Sequence, residues 1–184
     1  MNLVWAFWEP SQQPVPCDGA QVAYDGWCFA PDAAVDAAIA DWTDRGLAVT
    51  AVVYGVPEWA RQTRPCSPVS SGFEIFCAPD HAADYARFVG MIARRYNGQN
   101  GLGHVSDFVI HNEVNSNNWF DVGCGQGVAC DPDTWTAIYS ENYVAAFDAV
   151  RVEQTQAKIF VSLDHHFGSP DFDQPSAEQP LLAG

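Results

Sequence analysis

The sequence predicts an α/β protein built from repeated parallel βα units, and three observations carry that reading. Short apolar runs alternate with longer amphipathic stretches along the whole chain. The run "LAVTAVVYG", residues 47–55, is rich in β-branched and apolar residues, as a strand covered on both faces is. Segments after the strand-like runs are long and hold all six cysteines, whereas segments after the helix-like stretches are short and plain.

The first apolar run, Leu3 to Trp8 ("LVWAFW"), reads as a strand, and a Pro- and Gly-containing loop follows it through residue 30. In "PDAAVDAAIADWTDRG", Pro31 and Asp32 suit a helix start, Val35, Ala38, Ile39 and Trp42 share one face, and Gly46 is the stop. After the second strand, at 47–55, a cysteine-bearing loop leads to "DHAADYARFVGMIARRYNG". There Tyr85, Phe88, Val89, Ile92 and Tyr96 form an apolar helical stripe, ended by Asn97 and Gly98. The third strand lies in "VSDFVIHNEVNSNNWF", residues 105–120. A further helix, "DTWTAIYSENYVAAFDAVRVEQ", repeats Trp135, Ile138, Tyr139, Ala146 and Val150 at helical spacing, and "KIFVSLDHH" reads as a fourth strand. One domain spanning 1–184 is expected, with residues 168–184 as loop or flexible tail. The helical aromatics Trp42, Trp135, Tyr139, Phe88 and Tyr96 face the sheet.

Composition narrows the function. With 23 acidic against 8 basic residues, the formal charge of -15 opposes phosphate backbones and anionic lipid, so neither nucleic acid nor membrane is an expected partner. The six cysteines fall into local pairs: Cys17 with Cys28, Cys66 with Cys77, and Cys124 with Cys130. Six cysteines allow 15 pairings, but each of these three would staple one short loop, and none has the CxxC spacing of a zinc or redox site. They imply an oxidising compartment, secreted or otherwise extracytoplasmic. The N-terminal "MNLVWAFWEP" lacks the basic region and cleavage site of a signal peptide, so a leader is not expected within this chain.

The polar end of the third strand is the chemical signal. An apolar approach, Phe108 to Ile110, runs into His111, Asn112 and Glu113, then Asn115, Ser116, Asn117 and Asn118, and closes on Trp119 and Phe120. "FVIHNEVN" resembles the Asn-Glu motif at the end of the fourth strand in retaining (β/α)8 glycoside hydrolases of clan A. "VVYGVPEWA" is similar to their third strand, whose following loop commonly opens with Pro-x-Trp. "NLVWAFWE" then resembles strand two and "IFVSLDHHF" strand five, so the likeness covers most of the chain.

The resemblance implies a TIM-barrel type fold, here a partial barrel of about four βα units, strands two to five. It implies a carbohydrate substrate and no cofactor or metal. Glu113 would be the general acid/base, and Asn112 would hydrogen-bond a sugar hydroxyl beside the scissile bond. Trp8, Trp59 and Trp119 would offer flat faces to sugar rings, with Glu9, His111, Asn115, Asp164, His165 and His166 as further substrate contacts. Val114 stands where many such enzymes have Pro, and His111 where Trp or Gly is more usual. The nucleophile of these enzymes lies on a seventh strand that this chain does not reach, because a full barrel needs roughly 250 residues. Glu9 and Glu58 sit near the same face, where substrate contact suits them better than nucleophilic attack. Open edges of a partial barrel would promote self-association. Two other readings compete: a non-catalytic carbohydrate-binding or degenerate barrel domain, and a metal site of His111, Glu113, His165 and His166.

Overall fold

The computed structural model describes residues 1–66, 74–124 and 128–164. In chain order its elements are β1 (Asn2–Val4), α1 (Trp5–Trp8), β2 (Val22–Tyr24), β3 (Trp27–Phe29), α2 (Ala33–Asp44), β4 (Thr50–Tyr54), α3 (Ala82–Arg95), β5 (Asp107–Ile110), α4 (Pro132–Glu153) and β6 (Lys158–Phe160), with single 3-10 turns at Glu58–Ala60 and Glu74–Phe76. β1, β4, β5 and β6 form one parallel sheet in that spatial order, so each strand lies beside its successor. The expectation of an α/β architecture with parallel strands holds.

The register separates the two sheet faces. Leu3 pairs with Val53 and Val53 with Ile110, while Ala51 pairs with Phe108; all five are buried in the main core. Against them pack Tyr85, Phe88, Val89 and Ile92 from α3, with Ala146 and Val150 from α4. The opposite row, Val52, Val109 and Phe160 in register, is half-buried to exposed, and Phe160 is 46% accessible. Among the described residues the strands are thus covered by helices on one face and only half-buried to exposed on the other, unlike the two-sided burial that the β-branched run predicts.

The helices begin and end for local reasons. Asp32 caps α2 by accepting from Ala34 N at 2.8 Å, and Asp131 caps α4, which has proline in its first turn. α2 and α3 are tied by Arg95 and Tyr96, both donating to the carboxylate of Asp36. α3 and α4 pack closely, and Gly90 makes the approach feasible: a Cβ there would meet Tyr24 Oη at 2.6 Å and Ala149 Cβ at 3.3 Å.

Three sequence expectations need correction. "LVWAFW" is not one strand: β1 stops at Val4 and residues 5–8 make a single helical turn. Trp5 and Trp8, three apart, are both buried while Phe7 is 73% exposed, so packing follows a helical period and not the strand period of two. The expected loop through residue 30 contains the β2–β3 hairpin, turned by Asp25 and Gly26 with φ of 47° and 82°. An Asp-Gly pair is the favoured chemistry for such a two-residue turn. The last strand is shorter than "KIFVSLDHH": pairing ends at Phe160, and Ser162 instead accepts a hydrogen bond from Val114 N at 3.0 Å.

All three local disulfides are formed: Cys17–Cys28, Cys66–Cys77 and Cys124–Cys130. They suit an extracytoplasmic protein. Among the described residues no helix is long and apolar enough to cross a membrane. The tail at 168–184 lies outside the described residues.

Candidate functional site

Because the four strands are parallel, their C-terminal ends share one edge of the sheet, and that edge gathers most of the polar residues singled out in the sequence. β5 leaves it through an unusual turn. His111 and Glu113 have φ of 58° and 40°, left-handed conformations that cost non-glycine residues on the order of 1–3 kcal/mol each. Asn112 lies between them. Such strain persists only where surrounding contacts over-determine it, and the contacts here are specific. Val53 O, at the end of β4, accepts from His111 N at 2.9 Å and from Tyr85 Oη at 2.6 Å. Tyr139 Oη donates to Ile110 O at 3.2 Å, and Trp135 Nε1 donates to Val114 O at 2.8 Å. Aromatic side chains of α3 and α4 therefore reach through the core to hold the backbone on both sides of Asn112 and Glu113.

The predicted site residues divide into two groups. The first surrounds β5. Asn112 and Glu113 are half-buried at the rim, and Glu113 O accepts from Ser116 N at 2.9 Å to start a compact loop. Asn115 is buried, and its Oδ1 accepts from Asp164 N at 2.7 Å, which joins the segments following β5 and β6. Trp119 is half-buried, with its ring against Phe76 at 4.8 Å and Tyr54 at 6.0 Å. Two backbone bonds, Asp121 N to Phe76 O and Ala78 N to Asp121 O, zip this loop to the one bearing Cys77. His165 and His166 lie outside the described residues.

His111 belongs to the core and not to an open cleft. It is 2% exposed, stacked on Tyr85 at 4.1 Å and tilted against Phe120 at 4.7 Å. Burial pushes its pKa down to about 3, an effect Asn142 partly offsets. A contact with substrate is not compatible with this placement, nor is a share in a metal site. Among the described residues no group of three or more His, Cys, Asp or Glu is arranged to hold a metal ion.

The second group surrounds α1. Trp8 is 4% exposed and packs on Phe88 and Tyr96, so it offers no face to a sugar. Glu9 is 1% exposed: Trp5 Nε1 donates to its Oε2 at 2.7 Å, and Arg87 Nη2 approaches Oε1 at 3.4 Å. Arg87 also pairs with Asp84 at 2.8 Å and lies over the Trp27 ring. Burial raises the Glu9 pKa to about 7 against the opposing pull of Trp5 and Arg87. Trp59 is half-buried, and its Nε1 donates to Glu9 O at 2.9 Å. Glu58 is exposed.

Tyr54, Phe76 and Arg87 complete these groups and were not marked by the sequence reading. Arg87 lies on the face of α3 opposite its apolar stripe, where a charged residue is ordinary, so it carried no signal; nor did Tyr54 and Phe76. A cavity of about 290 Å³ lies at the opposite edge of the sheet, lined by Asn97, His104, Ser106, Glu153 and Gln154 among others. Its histidine is already bonded to Gln154 at 3.1 Å, and among the described residues that line it Glu153 is the one acid, so size alone does not make it the functional site.

The chain belongs to a family of unknown function, DUF5722, whose family model matches residues 17–177. No curated protein matches it.

Proposed function

We propose that this chain is a glycoside hydrolase-like protein of the secreted type, acting on O-glycosidic bonds of a poly- or oligosaccharide. The sheet is then four consecutive strands, two to five, of a (β/α)8 barrel. The observation that carries the reading is the placement of Asn112 and Glu113 at the C-terminal edge of the third parallel strand, on a turn bracketed by left-handed residues. Active sites of parallel βα folds are built on that edge. The sequential order of the strands, the three disulfides in segments that follow strands, and the Tyr54–Phe76–Trp119 aromatic group beside β4 support it further.

In this reading Glu113 protonates the glycosidic oxygen as the bond breaks and then takes a proton from the attacking water. Asn112 orients a sugar hydroxyl, and Trp119 gives a partly exposed flat face to a ring. Retaining hydrolysis needs a second carboxylate roughly 5–5.5 Å away. Glu9 does not supply it, being sealed beneath Trp5 and Arg87. The nucleophile is therefore assigned to a part of the gene product other than the described residues. The half-exposed row of Val52, Val109 and Phe160 would face the barrel interior, and the free edges of β1 and β6 would drive self-association until they are covered.

A non-catalytic carbohydrate-binding domain is the second reading, favoured by the sealing of Glu9. Both readings are tested with Glu113→Gln in the gene product that carries the nucleophile. The hydrolase reading expects hydrolysis of aryl glycosides to fall by about 10²–10⁴-fold with sugar binding retained. Equal hydrolysis by mutant and parent would reject the acid/base assignment. Sugar binding without turnover in either would leave the binding-domain reading standing.

A further inference from the structure

We infer that Asn142 is a positioning residue for the Asn112–Glu113 rim, acting through His111, which it holds as the Nε2–H tautomer. The inference rests on the proposed role of Glu113 for its functional meaning, and on the core of the protein for its geometry. Trp135, Tyr139 and Asn142 are buried on α4 at spacings of four and three, hence on one stripe of the helix. Trp135 holds Val114 O, and Tyr139 holds Ile110 O. Asn142 is the third member of the stripe, and its neighbour in the turn is the ring of His111.

Two buried atoms point to this contact. Both His111 Nε2 and Asn142 Oδ1 are buried without a hydrogen-bond partner, although buried polar atoms are almost always paired. Asn142 Nδ2 already donates to Ile138 O at 2.9 Å, which orients the amide and leaves its oxygen as the group to be satisfied. An amide oxygen only accepts, so the histidine nitrogen that satisfies it must carry the proton. The two orphans are complementary only when His111 is the Nε2–H tautomer, either in direct contact after a small shift or through one buried water. His111 stays uncharged in this aromatic sandwich, since burial keeps its pKa near 3. The described neighbours of its ring are Tyr85, Phe120, Tyr139 and Asn142, none of them an acid.

The functional consequence follows from the backbone. His111 carries the first left-handed φ of the turn, and a ring stacked on Tyr85, packed against Phe120 and held at its Nε2 sets the direction in which Asn112 and Glu113 leave the strand. Asn142 thus acts on the rim without touching it.

Histidine ¹⁵N spectra of the parent chain test the tautomer, and the ¹³C titration of the Glu113 carboxyl tests the positioning. The expected result is a neutral Nε2–H imidazole for His111 throughout pH 5–8. N142L should lose that signature and displace the Glu113 titration. N142D, which retains an acceptor oxygen, should keep Nε2 protonated, raise the His111 titration and restore that of Glu113. An Nδ1–H tautomer or an imidazolium in the parent at pH 6 would overturn the inference. So would a Glu113 titration identical in parent and N142L. Should N142L fail to fold, the parent spectrum and N142D decide alone. These spectra report the rim whether or not a glycoside is cleaved, so they fail separately from the hydrolase assay.

Discussion

Glu113 and Glu9 both follow strands of the parallel sheet at its C-terminal edge, yet their surroundings give them opposite characters. Glu113 is half-buried on a turn held from behind by α3 and α4, with its backbone clamped at Val53, Ile110 and Val114. Glu9 is enclosed, with one oxygen on the Trp5 indole and the other near Arg87. Tyr139 and Trp135 hold the main chain on either side of the first acid, at Ile110 O and Val114 O. The carboxylate of the second is bound by Trp5 and Arg87, which ties α1 to α3. Two acids that follow strands at one edge thus sit in different surroundings.

The largest expected contrast is catalytic. Glu113→Gln should cost about 10²–10⁴-fold in hydrolysis, whereas Glu9→Gln should leave the rate within a few-fold of the parent. A larger loss from the Glu9 variant would reverse the assignment of the two acids.

Stability against pH separates them next. The carboxyl of Glu9 titrates near 7 in the folded chain and near 4.5 when free. Below pH 4.5 it is protonated in both states and costs nothing. Between 4.5 and 7 the unfolded chain ionises while the folded chain keeps its proton, so stability declines, and above 7 the full cost is present. That cost is about 3 kcal/mol at 25 °C. Denaturant unfolding of Glu9→Gln should thus gain on the parent by roughly that amount between pH 4.5 and 8. A constant difference across this range would show that Glu9 is not the buried acid described here.

Smaller effects probe the clamps. Tyr139→Phe removes the donor to Ile110 O without opening a cavity, and should lower unfolding free energy by about 1–2 kcal/mol. Amide exchange should quicken around residues 110–114 in the same variant. Trp5→Phe deletes the indole donor to Glu9 and should move the Glu9 titration further upward, read by carboxyl ¹³C shifts. Glu58→Gln, at an exposed position, should change stability by less than about 0.5 kcal/mol.

The parts of this arrangement that were legible in the sequence are those with a local cause. α2, α3 and α4 follow from a period near 3.6, with Asp32 at the start of α2 and glycine stops at Gly46 and Gly98, and the three disulfides follow from loops short enough to staple. The polar rim after β5 was visible because an apolar strand ends abruptly in Asn and Glu. The β2–β3 hairpin had a local signal in Asp25 and Gly26 that a short strand length obscured. Other features depend on partners far along the chain. Glu9 is sealed by Arg87, 78 residues away, and His111 is buried by Tyr85 and Phe120, one of them on a different element. The left-handed turn carried little signal, since histidine enters that conformation more often than most residues but adopts many others, and glutamate does not favour it; the side chains that hold the turn come from the helices behind it.

Chemical-shift mapping of this chain titrated with a panel of neutral oligosaccharides decides whether the Asn112–Glu113 rim meets a sugar. One of them is expected to perturb Asn112, Glu113 and the indole of Trp119, while Glu9 and Arg87 remain unmoved. Perturbation confined to the cavity around His104 and Gln154, or none with any sugar, would contradict the proposed function.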